Sequence, residues 1–279
     1  MPATPGTMRT ASPAGQLSPD EIEAYHRDGI IVPGWELPAE RLAELREAVD
    51  TVLAANPGVR PEKLVSAHLA EGNTEGVKGH AAFLSLAGEP AILDMVEQLI
   101  GPDIILWGGH LFCKPAGDGL EVPWHQDGHY WPIRPLATVT VWVALDDSTV
   151  GNGCLRVIPG SHADKRHYDH ERMEGDLALD RGLVPGSFDP ADAMDIELRA
   201  GQMSMHDVYL LHGSNANRSD RRRAGIALRY MPASSLFDRA VEVPNTTPGL
   251  KTDFAGRPLW LLRGGNPAGN DLSIGHGGQ

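Results

Sequence analysis

The stretch LATVTVWVAL, residues 136–145, constrains the fold most. Thr138, Thr140 and Trp142 alternate with Val139, Val141 and Val143, so polar and large side chains take one face and valines the other. That period of two is a strand covered on both sides. More strand signals surround it: IILWGGHLFCKP from Ile104, CLRVIPG after the hairpin signal Asn152-Gly153, MDIELRAGQMSMHDVYLLHG as two strands around Arg199-Ala200-Gly201, and RAGIALRYMP. Helical patterns precede residue 103. Ser18, Pro19 and Glu21 open a helix with a capping box, and Gly29 stops it. GIIVPG reads as a short strand. Leu42, Leu45, Val49 and Val52 define a helix over Pro38–Ala55, and a third helix covers Pro90–Ile100. Residues 58–80 are weakly patterned and read as a mobile loop. Residues 160–193 form a long polar excursion of the kind used for lids and binding loops. Helices gathered before a run of short strands predict a mainly β chain: a double-stranded β-helix (jelly-roll, cupin-like) core with N-terminal helices packed outside.

The 279 residues suffice for one large core, expected over 17–279, behind a disordered leader of residues 1–16 rich in Pro, Gly, Ala, Ser and Thr. With 24 basic and 37 acidic residues the formal charge is −13, which argues against a nucleic-acid surface. No apolar run is long enough to span a bilayer, and the first residues lack a secretory h-region. Cys113 and Cys154 form no pair motif, so a reducing, cytoplasmic setting is expected.

Chemistry concentrates in WHQDGHYWPIRP, residues 124–135. His125 and Asp127, two apart on a strand, present imidazole and carboxylate to one face, with Gln126 pointing away. A third ligand must come from HDVYLLHGSNANRSDRRRAGIALRY, where His206 and His212 both qualify. His212 is favoured. Ser214 follows it, and Arg223, eleven residues on, can return on a neighbouring strand with a planar fork suited to a carboxylate. His206 reads as a surface residue or one just behind the ligands. Two histidines and a carboxylate on one face match the ligand set of non-haem Fe(II) oxygenases.

With LSPDEIEAYHRDGIIVPG, WHQDGHYWPIRP, VWVALDDSTVGNGCLRVIPGSH and LLHGSNANRSDRRRAGIALRY in order along the chain, the sequence resembles the phytanoyl-CoA dioxygenase family of Fe(II)/2-oxoglutarate oxygenases. The resemblance implies that His125, Asp127 and His212 hold Fe(II). It implies that Arg223 and Ser214 bind the far carboxylate of 2-oxoglutarate and that Trp142 packs beside it, with Gln126 and Lys114 near the cosubstrate or its entrance. The implied reaction consumes O2 and 2-oxoglutarate, releases succinate and CO2, and most simply hydroxylates a C–H bond of a small metabolite, with ascorbate supporting activity. Halogenating relatives replace the carboxylate with a small residue, so Asp127 argues against halogenation. A CoA carrier is not implied by the family name alone.

Other readings stay open. His129, Tyr130 and Trp131 are either loop packing or substrate contacts, and His110 either faces the cavity or is a satisfied core histidine. Arg221 and Arg222 read as surface charges, and His162, His167 and His170 show no spacing for a second metal. A cupin-like metal enzyme without 2-oxoglutarate, and a silent binding protein on the same fold, are the alternatives. Arg223 and Ser214 argue against the first and the intact ligand set against the second. A small-molecule substrate is expected, with no nucleic-acid or membrane partner, in a monomer or homodimer.

Overall fold

The computed structural model describes residues 15–71, 75–242 and 253–275, with the side chain of Tyr130 outside that description. Most of the expected leader also lies outside the described residues. Its last two residues, Gly15 and Gln16, lie within them, and the Gly15 carbonyl accepts a bond from the Gln98 amide (3.0 Å). Among the described residues the helices are α1 (Pro19–Asp28), α2 (Ala39–Ala55), α3 (Ala81–Ala87) and α4 (Pro90–Ile100). The α1 cap forms as its sequence predicts. Glu21 N–H donates to Ser18 Oγ, the Ser18 N–H donates to the Glu21 carboxylate, and Gly29 ends the helix at φ 78°. The short helix α3 went unread because seven residues are too few for a clear period.

Two antiparallel sheets form the body. The larger has the order β1 (Ile30–Ile31), β11 (Met203–Asp207), β6 (Val139–Ala144), β13 (Arg223–Pro232), β3 (Ile104–Lys114) and β15 (Trp260–Arg263), with β2 (Leu64–Val65) also on β3. The smaller has the order β10 (Met194–Ile196), β7 (Leu155–Val157), β12 (His212–Ser214) and β4 (Val122–His125). Two ribbons, β5 (Ile133–Arg134) with β14 (Leu236–Phe237) and β8 (His170–Arg172) with β9 (Arg181–Leu183), complete the pattern. This is the mainly β, jelly-roll architecture expected.

The alternation in β6 sorts the molecule. Val139, Val141 and Val143 join Met203, Met205, Ile226 and Leu228 in a core that includes Val49, Val52, Phe83, Ile92 and Val96 of α2, α3 and α4. Thr140 and Trp142 point the other way, into a cavity between the sheets. The helices thus cover one face of the large sheet, and the small sheet covers the other.

Some expectations need correction. Residues 58–80 are no free loop where they are described. Leu64 is fully buried and pairs across β3 with Leu111, and Ala67 and Leu69 join the core. Their apolar residues are too few to show a period, so the signal was weak. Asn152-Gly153 does not close a hairpin. Gly153, at φ 80°, ends a short 3-10 turn capped by Thr149, and the chain crosses from β6 in one sheet to β7 in the other. The 160–193 excursion carries the β8–β9 ribbon. Arg222 is no free surface charge: its guanidinium bridges Asp146 (2.9 Å) and Asp50 (2.6 Å).

Candidate metal centre

His125 ends β4, and His212 begins β12 as its direct partner across the small sheet. Their rings lie 4.1 Å apart, centroid to centroid. Asp127, expected on the strand with His125, instead opens a 3-10 turn over Asp127–Tyr130. Gln126 between them stays extended (φ −107°, ψ 138°), so the two-residue spacing still turns both side chains to one side. Ligand atoms of His125, Asp127 and His212 all lie within 4.8 Å of one another, and no other His, Cys, Asp or Glu group this compact occurs among the described residues.

The donor set suits a divalent metal. His125 Nδ1 faces the Pro123 carbonyl and His212 Nδ1 the Leu210 carbonyl, each at 2.9 Å. A carbonyl only accepts, so each Nδ1 carries the proton and each Nε2 keeps its lone pair for the cavity. Burial lowers the pKa of both rings, which keeps them neutral. Burial raises the carboxyl of Asp127, but Arg229 and then His206 outweigh it and hold the group well below the usual carboxylate range.

The surroundings of Asp127 come from the large sheet. His206, Thr140 and Arg229 lie side by side across β11, β6 and β13 in the strand register. Thr140 Oγ1 donates to Asp127 Oδ2 (3.1 Å), His206 Nε2 stands 3.6 Å from Oδ2, and Arg229 Nη2 3.6 Å from Oδ1. His206 is therefore not at the surface: it is 2% exposed and stands behind Asp127. Arg229 was missed by sequence reasoning. Its only signal is alternation along RAGIALRY, which puts it on the same face as Arg223.

Arg223 does reach the cavity, but not from a strand beside His212. It lies on β13 of the large sheet and His212 on β12 of the small one, so the two face each other across the cavity. The guanidinium is 3% exposed, lies 5.2 Å from the Trp142 ring, and has no ion pair or hydrogen bond among the described residues. Burial pushes its pKa down to about 10. Lys114, its cross-strand partner, is fully buried and donates from Nζ to Ser214 Oγ (2.7 Å) and to the Asn215 carbonyl. Burial and then Arg223 press that amine down to about 6. A buried, unpartnered guanidinium beside a second hydrogen-bond donor is the environment a carboxylate would satisfy. Phe112, Val122, Leu155 and Ala227 supply the apolar wall of this cavity of about 40 Å³.

Gln126, expected near the cosubstrate or its entrance, lines a second cavity beside the metal centre. Its amide donates to the carbonyls of Arg166 (2.9 Å) and Tyr209 (2.7 Å) and accepts from Tyr168 N–H (2.8 Å), which ties down the 160–193 excursion. His110 is both things at once: Nε2 meets the Glu62 carbonyl (3.0 Å), while the ring, stacked on Phe112 at 3.8 Å, lines a neighbouring cavity. Trp131 lines that cavity too. His129 lies against the His170 ring at 4.3 Å.

The family model described as Phytanoyl-CoA dioxygenase (PhyH) matches residues 25–225. A probable alpha-ketoglutarate-dependent hypophosphite dioxygenase of Stutzerimonas stutzeri is 30% identical over 60% of this chain, which spans 66% of that relative's length. An ectoine dioxygenase of Sphingopyxis alaskensis is 26% identical over 90% of this chain and 85% of its own. The solved structure of the apo non-heme monooxygenase ThoJ superposes with a TM-score of 0.67 at 26% identity, over 92% of this chain and 86% of the other. Fold, ligand set and relatives together define an oxygenase whose cofactors are iron and 2-oxoglutarate. The chain belongs to the phytanoyl-CoA dioxygenase family.

Proposed function

We propose that this protein hydroxylates an unactivated C–H bond of a small organic molecule. In the balanced reaction, O2 and 2-oxoglutarate are consumed, one oxygen atom enters the C–H bond, and the other leaves in succinate, released with CO2. His125, Asp127 and His212 hold the iron in this reading. One observation carries it: three ligand atoms within 4.8 Å of one another share a cavity with the unpartnered guanidinium of Arg223. A metal site and an anion site in one small cavity suit a ligand that is a chelator at one end and a carboxylate at the other.

When bound, the iron supplies the O2 chemistry that no side chain here can perform. The protein's own residues bind and orient. Arg223 takes the far carboxylate with a two-pronged hydrogen bond. Lys114 donates to Ser214 Oγ, so the serine's own proton is free to point at that carboxylate. Trp142 lies beside the guanidinium and limits its swing. The carbonyls of Pro123 and Leu210 hold the two imidazoles in one tautomer, and Thr140 fixes the Asp127 carboxylate. The apolar wall keeps water from the reacting carbon.

The test is succinate formation with Fe(II), ascorbate and 2-oxoglutarate. Wild type is expected to show slow turnover without a prime substrate. His125→Ala, Asp127→Ala and His212→Ala are each expected to lose it together with metal binding. Full activity in His212→Ala alongside loss in His206→Ala would refute the choice of distal ligand.

A further inference from the structure

Beside the inner cavity lies a second one of about 140 Å³, sharing Phe112, His125, Asp127 and Arg229 with it. Three guanidinium groups line it (Arg181, Arg229 and Arg257), as do three carboxylates (Glu75, Asp127 and Asp180). Most of these charges are engaged. Arg257 pairs with Glu75 and donates to Ser66 Oγ (3.3 Å), and Arg181 donates to the His170 carbonyl (3.0 Å). Asp180 precedes Arg181 on the same wall, its Oδ2 buried without a hydrogen-bond partner, so that side carries one charge of each sign.

Arg229 differs. Its side chain is 15% exposed, its Nε is buried without an acceptor, and among the described residues none of its nitrogens makes a hydrogen bond. The Trp131 and Trp107 rings stand 5.0 and 5.9 Å from the guanidinium carbon and confine it. Its one ion pair, Nη2 to Asp127 Oδ1, is 3.6 Å long, beyond a hydrogen bond, while Thr140 holds the other oxygen, Oδ2, at 3.1 Å. Holding Asp127 therefore does not account for the donors of Arg229. They stand, unspent, where the outer cavity meets the ligand triad.

Resting on the iron and 2-oxoglutarate reading above, we infer that the molecule oxidised carries an oxyanion, a carboxylate or a phosphorus oxyanion, and that Arg229 binds it. A guanidinium matches either group with two parallel N–H donors. Its aromatic flanks exclude water and strengthen the pair. Because Arg229 borders both cavities, an anion seated on it brings the attached carbon skeleton to the triad.

The experiment uses iron-loaded protein without oxygen, saturated with 2-oxoglutarate so that the Arg223 site is filled. Propionate, methylphosphonate and, as the neutral counterpart, propionamide are titrated in turn while the charge-transfer and metal-centred absorption bands are followed. Both anions are expected to shift the bands saturably and propionamide to leave them unchanged. In Arg229→Gln the anion midpoint is expected to rise by roughly 30-fold or more, the size of a lost buried charge pair. Arg229→Lys is expected to recover part of it. Because Arg229→Gln also removes a charge that acts on Asp127, the anion midpoint of each variant is read at its own saturating Fe(II) and 2-oxoglutarate. Equal binding of propionamide, or an unchanged anion midpoint in Arg229→Gln, overturns the inference. So does loss of the 2-oxoglutarate band in that variant, which would make Arg229 a support for Asp127. Quenching of tryptophan fluorescence by the same anions in metal-free protein, wild type against Arg229→Gln, decides the inference separately. A wild type that quenches but shows no 2-oxoglutarate band would sink the functional reading and leave the anion site standing.

Discussion

Gly225 sits on β13 between Arg223 and Ala227, on the face turned to the cavity, and the Trp142 indole occupies the space above it. A methyl group there would stand 2.0 Å from the ring, closer than any relaxed contact. Glycine is thus what lets Trp142 lie across the strand and reach the Arg223 guanidinium. Gly225→Ala is expected to push the indole aside, cost about 1–3 kcal/mol of stability as overpacking does, and weaken 2-oxoglutarate binding. Chemical denaturation and an anaerobic cosubstrate titration check both halves. A variant with unchanged stability and midpoint would mean the ring has room that the packing does not show. Several site residues were legible at this scale. His125, Asp127, His212, Ser214 and Arg223 are chemically distinctive, and their local spacings survive folding. Thr140 shared an inward face with Trp142 by simple alternation. His206 was half legible, since its place behind Asp127 was one of two readings left open, whereas Arg229 was not, because it meets Asp127 only through a register that joins strands distant in the chain.

At the scale of elements, the 160–193 excursion is held to β4 by the Ala178 N–H on the Glu121 carbonyl (2.9 Å), by the Trp124–Phe188 ring contact and, at the end of the strand, by the Gln126 side chain. Gln126 satisfies the carbonyls of Arg166 and Tyr209 and the N–H of Tyr168, and its own N–H donates to His170 Nε2 (3.0 Å). Gln126→Ala would strand those backbone groups, at about 1–3 kcal/mol for each one left buried. Faster hydrogen exchange over residues 166–170 is expected, with the 2-oxoglutarate midpoint unmoved. A weakened midpoint with unchanged exchange would instead return Gln126 to the cosubstrate. Elements were read well where their patterns are long or capped. The capping box of α1, the alternation of β6 and the apolar run of β3 each give a local signal. Sheet membership was not readable, because Asn152-Gly153 looks the same whether it closes a hairpin or turns the chain to the opposite sheet. Residues 58–80 misled for a related reason: two-residue β2 owes its place to β3, not to its own composition.

Across the whole molecule, the two sheets divide the work. The His125 and His212 ligands come from the small sheet, with Asp127 just past its edge, while Arg223 and Lys114 rise from the large one. A cosubstrate fixed at both ends must bridge the sheets, so their separation sets its pose. That separation rests on the side chains packed between them, Trp142, Ala144 and Ala227 of the large sheet against Leu155, Val157 and Ile196 of the small one. Arg223, as the far anchor, decides that pose. Fe(II) protein kept free of oxygen should develop a metal-to-ligand absorption band as 2-oxoglutarate is added. Losing one partner of a buried charge pair costs about 2–5 kcal/mol. Arg223→Ala should accordingly raise the midpoint by roughly 30-fold or more, leave iron affinity almost unchanged, and be only partly rescued by Arg223→Lys. A midpoint in Arg223→Ala equal to that of wild type would contradict the account.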